Sequence, residues 1–123
     1  MNNLFAVFIG GGLGSVFRYG ISVFTYAKFK PVFPVATLVS NVLSCVVMAL
    51  ILSLFSAKFE TNATLKLFVV MGFCGGFSTF STFSFETLEL FRNGNVIFGI
   101  LNILVNIIAC IAVIFFFSRH HTA

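Results

Sequence analysis

The chain has 123 residues, of which 59% are hydrophobic and only 8% are charged, and its mean hydropathy is +1.13. Soluble domains carry about 25% charged residues, so this chain cannot cover itself with polar surface and the lipid bilayer is its expected solvent. The net charge of +4 comes from Lys and Arg residues that are spread singly along the chain, which does not favour a nucleic-acid interface.

Four apolar stretches divide the chain, and each approximates the ~20 residues that a helix needs to cross the hydrocarbon. They cover about residues 4–26, 33–55, 65–91 and 96–117. The connections between them are KFKPVFP, SAKFETNAT and the turn RNGN. The sequence therefore predicts a single all-α transmembrane domain over residues 1–123, an up-down-up-down bundle with both termini on the same side.

Positive charges are balanced between the two faces of this bundle. The face with the termini holds Lys58, Lys66 and Arg119, and the opposite face holds Lys28, Lys30 and Arg92. An excess of Lys and Arg on one face sets the orientation of a membrane protein, and three against three favours neither direction. We therefore expect insertion both ways round, which lets a chain pair with its inverted copy as an antiparallel, dual-topology homodimer. The alternative is that the terminal amine or Arg18 tips the balance and every copy points one way.

The first stretch contains GGGLGS, in which Gly10 and Gly14 form a GxxxG motif, and Gly72 and Gly76 form another in the third stretch. Small residues mark close approach of membrane helices, so both motifs predict tight packing and would help a thin bundle to pair. The first stretch also holds Arg18, which either snorkels to the nearer face or forms a fixed cation at the mouth of an anion path.

Polar residues recur in the second and fourth stretches. Asn41 brings two donors and an acceptor, and an interhelical hydrogen bond is its simplest role. Asn102, Asn106 and Cys110 follow at spacings of four, which places them on one face of a helix. They act either as contacts between helices or as the wall of a wet path. Cys45, Cys74 and Cys110 show no CxxC spacing, and buried small hydrophobes are their simplest interpretation.

The third stretch contains GFCGGFSTFSTFSFE at residues 72–86. Gly75 and Gly76 are poor helix formers, so they predict a break in the helix near the middle of the membrane. Carbonyl groups exposed at this depth must be buried in protein or face a cavity or an ion. Two inverted copies that meet at the break would supply carbonyl groups in symmetric pairs.

After the break, Phe, Ser and Thr repeat with period three. Phe80 and Phe83 therefore share one helical face, and Ser81 and Ser84 share another about 100° round. Ring edges carry partial positive charge and hydroxyls donate hydrogen bonds, which suits a small anion that must lose water. The alternative is that these rings only pack or meet lipid, since Phe is the commonest residue here.

On three ordered motifs the chain resembles the fluoride channel family called Fluc or CrcB, over essentially its whole length. The motifs are GGGLGSVFRYG, TLVSN and GFCGGFSTFSTFSFE. The resemblance implies a passive fluoride channel, not an enzyme, that exports fluoride from the cytoplasm across the bacterial inner membrane. It further implies an antiparallel homodimer with two pores and a central structural sodium ion.

The resemblance also implies roles for single residues. Phe80 and Phe83 would turn ring edges to the ion, and Asn41 would donate a hydrogen bond to it. The full set assigned to the fluoride path is Phe80, Phe83, Asn41, Ser81, Thr82, Ser84, Asn102 and Asn106. Arg18 and Glu86 would form the vestibule. Backbone oxygens of Gly75 and Ser78 from both subunits would hold the sodium ion.

Two other classes of membrane protein fit the same length and number of spans. A small dual-topology, proton-coupled exporter of cationic compounds needs an intramembrane carboxylate, usually in the first helix, where this chain has Arg18 and no acid. A purely structural membrane subunit predicts no ion selectivity, and it leaves the arginine and the broken helix without a role.

The balanced charges predict that one loop position is reachable from both sides of the membrane. A cysteine introduced as Asn93→Cys, in a chain whose own three cysteines are replaced by alanine, should react with an impermeant maleimide added to either face. Leu104→Cys, at the centre of the fourth stretch, is the matched control and should react from neither face. Labelling of the loop from one face alone would contradict insertion in both orientations.

Overall fold

The computed structural model describes residues 2–29 and 31–122, with side chains as far as residue 117. Four helical spans in this part are long and apolar enough to cross a membrane: Asn3–Lys28, Val35–Thr61, Ala63–Arg92 and Val96–Phe117. The predicted all-helical chain with four long apolar helices and a bent third one is thus confirmed. Lys30 and the side chain of Arg119, two of the charges counted for orientation, lie outside the described residues.

Five helices make up these spans. They are α1 (Asn3–Lys28), α2 (Val35–Thr61), α3 (residues 63–77), α4 (Phe80–Arg92) and α5 (Val96–Thr122). Polar side chains begin three of them: Asn2, Asn62 and Thr79 each accept a hydrogen bond from a backbone N–H of the first turn. A tight turn at Gly94, whose φ is +84°, joins α4 to α5.

The second connection is much shorter than the sequence predicts. Residues 56–61 continue α2 past a kink at Phe55, so Lys58 and Glu60 lie on a helix and Asn62 alone separates α2 from α3. Ala, Lys and Glu are strong helix formers, and Phe59 is buried. Burial of this ring therefore extends the helix through a segment whose charges suggested a loop.

The break in the third span lies after the two glycines that predicted it. Gly75 is helical and begins a short turn that ends at Phe77, whereas Ser78 and Thr79 adopt extended backbone with ψ of 160° and 124°. Before this turn, Leu67–Cys74 is π-helical, a wider winding that is often found at functional sites. The glycines thus do not break the helix themselves.

The glycines of the two GxxxG motifs have a different effect, because they let the backbones of α1 and α3 come into direct contact. A Cβ atom added at Gly10 would collide with the carbonyl oxygen of Phe68, and one at Gly14 with that of Phe73. From the other side, a Cβ on Gly72 would come within 3.1 Å of the Gly10 Cα. Both GxxxG motifs therefore bring α1 and α3 of one chain into close contact, as the predicted tight packing requires.

Polar side chains are concentrated inside the bundle and large apolar ones outside. Asn102 and Ser40 are fully buried, whereas Phe8 is 78% exposed. Large apolar side chains are exposed along all four spans, including Leu4, Phe8, Val16, Leu54, Met71, Phe85, Ile97, Ile108 and Phe115. This distribution is the reverse of a soluble core, and it fits a bundle whose outer surface meets lipid.

Gly14→Ala should destabilise the protein even though alanine is the better helix former. The new methyl group meets backbone that cannot move aside as a side chain would, and overpacking of this kind costs about 1–3 kcal/mol. Gly12→Ala is the control, since nothing lies within 4 Å of its Cβ position and helix propensity alone should stabilise it. Thermal melting in detergent measures both, and an equal rise in Tm for the two variants would contradict the contact.

Candidate ion path

The break between α3 and α4 is repaired by a side chain from α2. In a continuous helix the Thr79 N–H would donate to the Gly75 carbonyl. Here it donates to Asn41 Oδ1 over 2.9 Å. Asn41 therefore replaces the missing helical partner, and its amide oxygen is fixed towards the break.

A second residue of α2 holds the other side of the break. The Ser44 hydroxyl donates to the Cys74 carbonyl oxygen over 2.8 Å, and the Ser78 hydroxyl donates to the same oxygen over 2.9 Å. The Ser78 N–H also donates there over 3.0 Å, so three donors converge on one carbonyl. These bonds fix the direction in which the chain leaves α3.

The break frees backbone carbonyl groups, and Arg18 takes one of them. Its Nε donates to the Gly76 oxygen over 3.1 Å, which places a half-buried guanidinium at the depth of the break. None of the hydrogen bonds described outside the helices ends on the carbonyl of Gly75 or of Ser78. The two oxygens predicted to hold a sodium ion therefore remain open to another partner.

A continuous line of buried hydrogen bonds runs from the break into α5 and back to α4. Asn41 Nδ2 donates to Asn106 Oδ1 over 3.1 Å, and Asn106 Nδ2 donates to Asn102 Oδ1 and to its backbone oxygen, each over 2.8 Å. Asn102 Nδ2 then donates to Thr87 Oγ1, and that hydroxyl donates to the Phe83 carbonyl, each over 2.8 Å. We call this set of five residues the polar line.

The polar line supports both roles that the sequence left open for the asparagines of α5. Asn102 is fully buried and joins helices to each other. Asn106 also joins helices, but in addition it lines a groove of about 320 Å³ that opens at the surface of the chain. The lining residues are Asn41, Cys45, Ser78, Thr79, Phe80, Phe83, Asn106, Ile107, Cys110 and Ile111.

Phe80 and Phe83 share this groove, as their spacing predicts, but with very different exposure. Their ring centroids are 5.7 Å apart. Phe83 is 8% exposed and Phe80 is 78% exposed, so one ring forms the floor and the other stands at the rim. The rings, the Asn41 amide and the break thus meet in one place.

The hydroxyl residues that follow the break lie outside the groove lining of the single chain. The Thr82 N–H donates to Thr79 Oγ1 over 3.1 Å, and Ser81 Oγ lies 3.3 Å from the same hydroxyl. Ser84 is exposed on α4. Ser81 and Thr82 therefore lie in the hydrogen-bonded first turn of α4, whereas Ser84 makes no described hydrogen bond to the Thr79 hydroxyl.

The two residues expected in a vestibule lie apart. Glu86 lines a separate cavity of about 250 Å³ with Tyr26, Pro34 and residues of the α4–α5 turn, and Arg18 does not line it. Glu86 Oε1 is buried without a hydrogen-bond partner. Arg18 precedes Tyr26 by eight residues, or about 12 Å along the helix.

Two residues of the site were not singled out from the sequence. Ser44 and Thr87 each fix a backbone carbonyl next to the break or the rings. For Ser44 a signal was present, because Thr37, Asn41 and Ser44 follow at helical spacing in an apolar stretch. Hydroxyls are less conspicuous than amides in such a stretch because they can bond within their own helix.

Comparison with known proteins places the chain in a family. A model of the family described as CrcB-like protein, Camphor Resistance (CrcB), matches residues 5–117. The chain belongs to the CrcB family. A fluoride-specific ion channel FluC of Elusimicrobium minutum is 43% identical over 116 residues, which covers 94% of this chain and 90% of the relative.

Further CrcB relatives carry the same name. A fluoride-specific ion channel FluC of Azobacteroides pseudotrichonymphae is 40% identical over 115 residues, covering 93% of this chain and 92% of its own. One of Ruminiclostridium cellulolyticum is 40% identical over 111 residues, covering 90% and 85%. The resemblance seen in the three motifs is thus confirmed, and the CrcB family is one of ion channels and not of enzymes.

The bond between Asn102 and Thr87 should stabilise this CrcB protein measurably. Asn102→Leu and Thr87→Val should each lower stability, because each leaves a buried polar partner unpaired. The double variant should lose less than the sum, with a coupling of about 0.6–1.7 kcal/mol, the range for hydrogen bonds between membrane helices. Unfolding in a mixed detergent series measures all four proteins, and strict additivity would exclude a direct bond.

Proposed function

We propose that this chain forms a fluoride-selective channel through which fluoride leaves the bacterial cytoplasm passively across the inner membrane. The observation that carries the proposal is the groove at the helix break, where Phe83, Phe80 and the Asn41 amide converge. The names of the relatives support fluoride as the ion. Fluoride enters acidified cells as the neutral acid and dissociates inside, so a passive exit for the anion is sufficient for defence.

The hydrogen bonds identify which donor in the groove is available to an anion. An amide nitrogen carries two N–H groups. Asn106 Nδ2 is committed to two oxygens of Asn102, whereas Asn41 Nδ2 has only one partner among the described residues, Asn106 Oδ1. The second N–H of Asn41 is therefore the donor offered to the ion, and Asn106 is a positioning residue that orients it.

The rings supply the rest of the ion's surroundings. A ring presents positive potential at its edge, and it carries no proton to exchange with a basic anion. Phe83 is held from behind, because Thr87 bonds to its carbonyl oxygen within the polar line. Edge contacts together with one amide donor replace water around a small anion without binding it so tightly that it cannot leave.

One chain leaves this path open to lipid, which supports an antiparallel homodimer as the working unit. The groove opens at the surface of the chain, and the ring of Phe80 stands almost fully exposed at its rim. A second, inverted copy would cover both, and its own groove would form a second, equivalent pore. The balanced charges on the two faces favour the mixed insertion that such a pair requires.

The centre of the dimer would hold a sodium ion. The carbonyl oxygens of Gly75 and Ser78 are hard donors at membrane depth, which fits sodium better than a transition metal. Arg18 bonds to the carbonyl of Gly76, which lies between them in sequence, and no described hydrogen bond of Arg18 ends on these two oxygens. Two copies related by a two-fold axis would supply four oxygens, and the bound ion would join the subunits and add a fixed positive charge.

Reconstituted protein should release fluoride from liposomes and retain chloride. We expect fluoride efflux to exceed chloride efflux by more than about tenfold, the ratio that 1.4 kcal/mol of selectivity gives. An ion-selective electrode measures both fluxes, and protein-free liposomes provide the background. Equal efflux of the two halides would refute a fluoride-selective path.

Replacing the groove rings should lower fluoride efflux without changing the fold. Phe83→Ile and Phe80→Ile each remove a polar edge and keep an apolar side chain, so we expect about twofold to thirteenfold slower flux, from the about 0.5–1.5 kcal/mol that ring geometry contributes. Phe85→Ile is the matched control, since this ring is exposed on α4 and does not line the groove. If all three variants conduct alike, the rings serve only packing.

A further inference from the structure

The groove contains a pair of thiols that the proposed anion path leaves without a role. Cys45 follows Asn41 by four residues on α2, and Cys110 follows Asn106 by four residues on α5. In an up-down bundle the second and fourth spans run parallel. One helical turn beyond the Asn41–Asn106 hydrogen bond, α2 therefore reaches Cys45 and α5 reaches Cys110, so we expect the two cysteines to lie side by side.

The geometry agrees with this register. Cys45 and Cys110 are both half-buried free thiols, and both line the same groove. Cys74, the remaining cysteine, is fully buried and does not line the groove. Two of the three thiols are thus placed together, and they are placed where a solute in the groove can reach them.

We propose that Cys45 and Cys110 form a two-coordinate binding site for a soft metal cation of the Hg²⁺, Ag⁺ and Cu⁺ class, and that an ion bound there closes the groove. The expectation that closure stops ion conduction rests on the proposed channel function, whereas the binding of a metal ion to the two sulfurs does not. The site differs from the carbonyl pair at the break in position, in donor atoms and in the class of cation.

The ligand set selects this class of cation. Thiolate sulfur prefers soft ions, whereas zinc requires four ligands in a tetrahedron. Among the described residues there is no cluster of three or more His, Cys, Asp or Glu side chains. The other side chains that line the groove are amides, hydroxyls, rings and isoleucines, none of which is a charged ligand, and this suits an ion satisfied by two sulfurs.

Charge neutrality favours Hg²⁺, the divalent ion of this class, at membrane depth. When Hg²⁺ binds, two S–H bonds break, two S–Hg bonds form and two protons pass to the buffer, which leaves a neutral bis-thiolate complex. A neutral complex avoids the cost of a net charge in a medium of low dielectric constant. The metal then joins α2 to α5 across the groove, directly beside the Asn41 amide that is offered to the anion.

Metal retention by the purified, full-length protein tests the site. The protein is incubated with HgCl₂, washed with a monothiol that removes ions held by one sulfur only, and analysed for mercury. We expect the unmodified protein and Cys74→Ala to retain one Hg²⁺ per chain. Cys45→Ala and Cys110→Ala should each retain at least tenfold less. Cys45→Ser and Cys110→Ser serve in place of an alanine variant that fails to fold. Equal retention by all variants, or loss with Cys74→Ala alone, would overturn the site.

Fluoride efflux from liposomes tests whether a bound ion closes the groove. The efflux rate of each variant after addition of mercury is compared with the rate of the same variant before it. HgCl₂ should stop efflux through the unmodified protein and Cys74→Ala, and it should leave the efflux of Cys45→Ala and Cys110→Ala unchanged. Retained mercury with undiminished efflux would overturn closure. If the untreated protein does not conduct fluoride at all, the proposed channel function fails, while the retention measurement still decides whether the thiol pair binds metal.

Discussion

The structure depends on one constraint, which is that a backbone polar group at membrane depth must have a partner. Each unsatisfied group in hydrocarbon costs several kcal/mol, so a broken helix within the bilayer must be repaired by protein. Here the repair comes from α2, since Asn41 accepts from the Thr79 N–H and Ser44 donates to the Cys74 carbonyl. The break is therefore a built feature of the bundle, held in place by side chains that lie at one helical face.

This repair also determines the chemistry of the groove. Because the Asn41 oxygen is committed to the break, its nitrogen must face the other way, towards Asn106 and the groove. Asn106 is committed in turn to Asn102, and that residue to Thr87. Among the described residues, one N–H of Asn41 is left without a partner at the end of this sequence of bonds. Under the proposed function, a single donor beside two rings would coordinate an anion weakly, so that the anion could pass without being bound tightly.

The contact between α1 and α3 supplies the rigidity that the break removes. Gly10, Gly14 and Gly72 bring the two backbones together so closely that no side chain fits between them. In lipid there is no hydrophobic force between helices, so close van der Waals packing of this kind is the main source of association. The half of the third span before the break is thus fixed to α1, and the half after it is fixed to α5 by the polar line. The helix halves separate at the point where the groove forms.

The amino-acid sequence by itself determined the membrane class, the four spans and the existence of a bend, because lipid rewards long apolar helices and makes every intramembrane polar residue conspicuous. It also determined the family, since the three motifs stand in order. The tertiary structure decided where the bend lies, because the glycines that predict a break are helical and the extended residues follow them. It also decided that Arg18 bonds to the Gly76 carbonyl, apart from Glu86, and that α2 continues through the expected loop. These outcomes depend on which surfaces meet across the bundle, and local propensity and spacing carry no information about that choice.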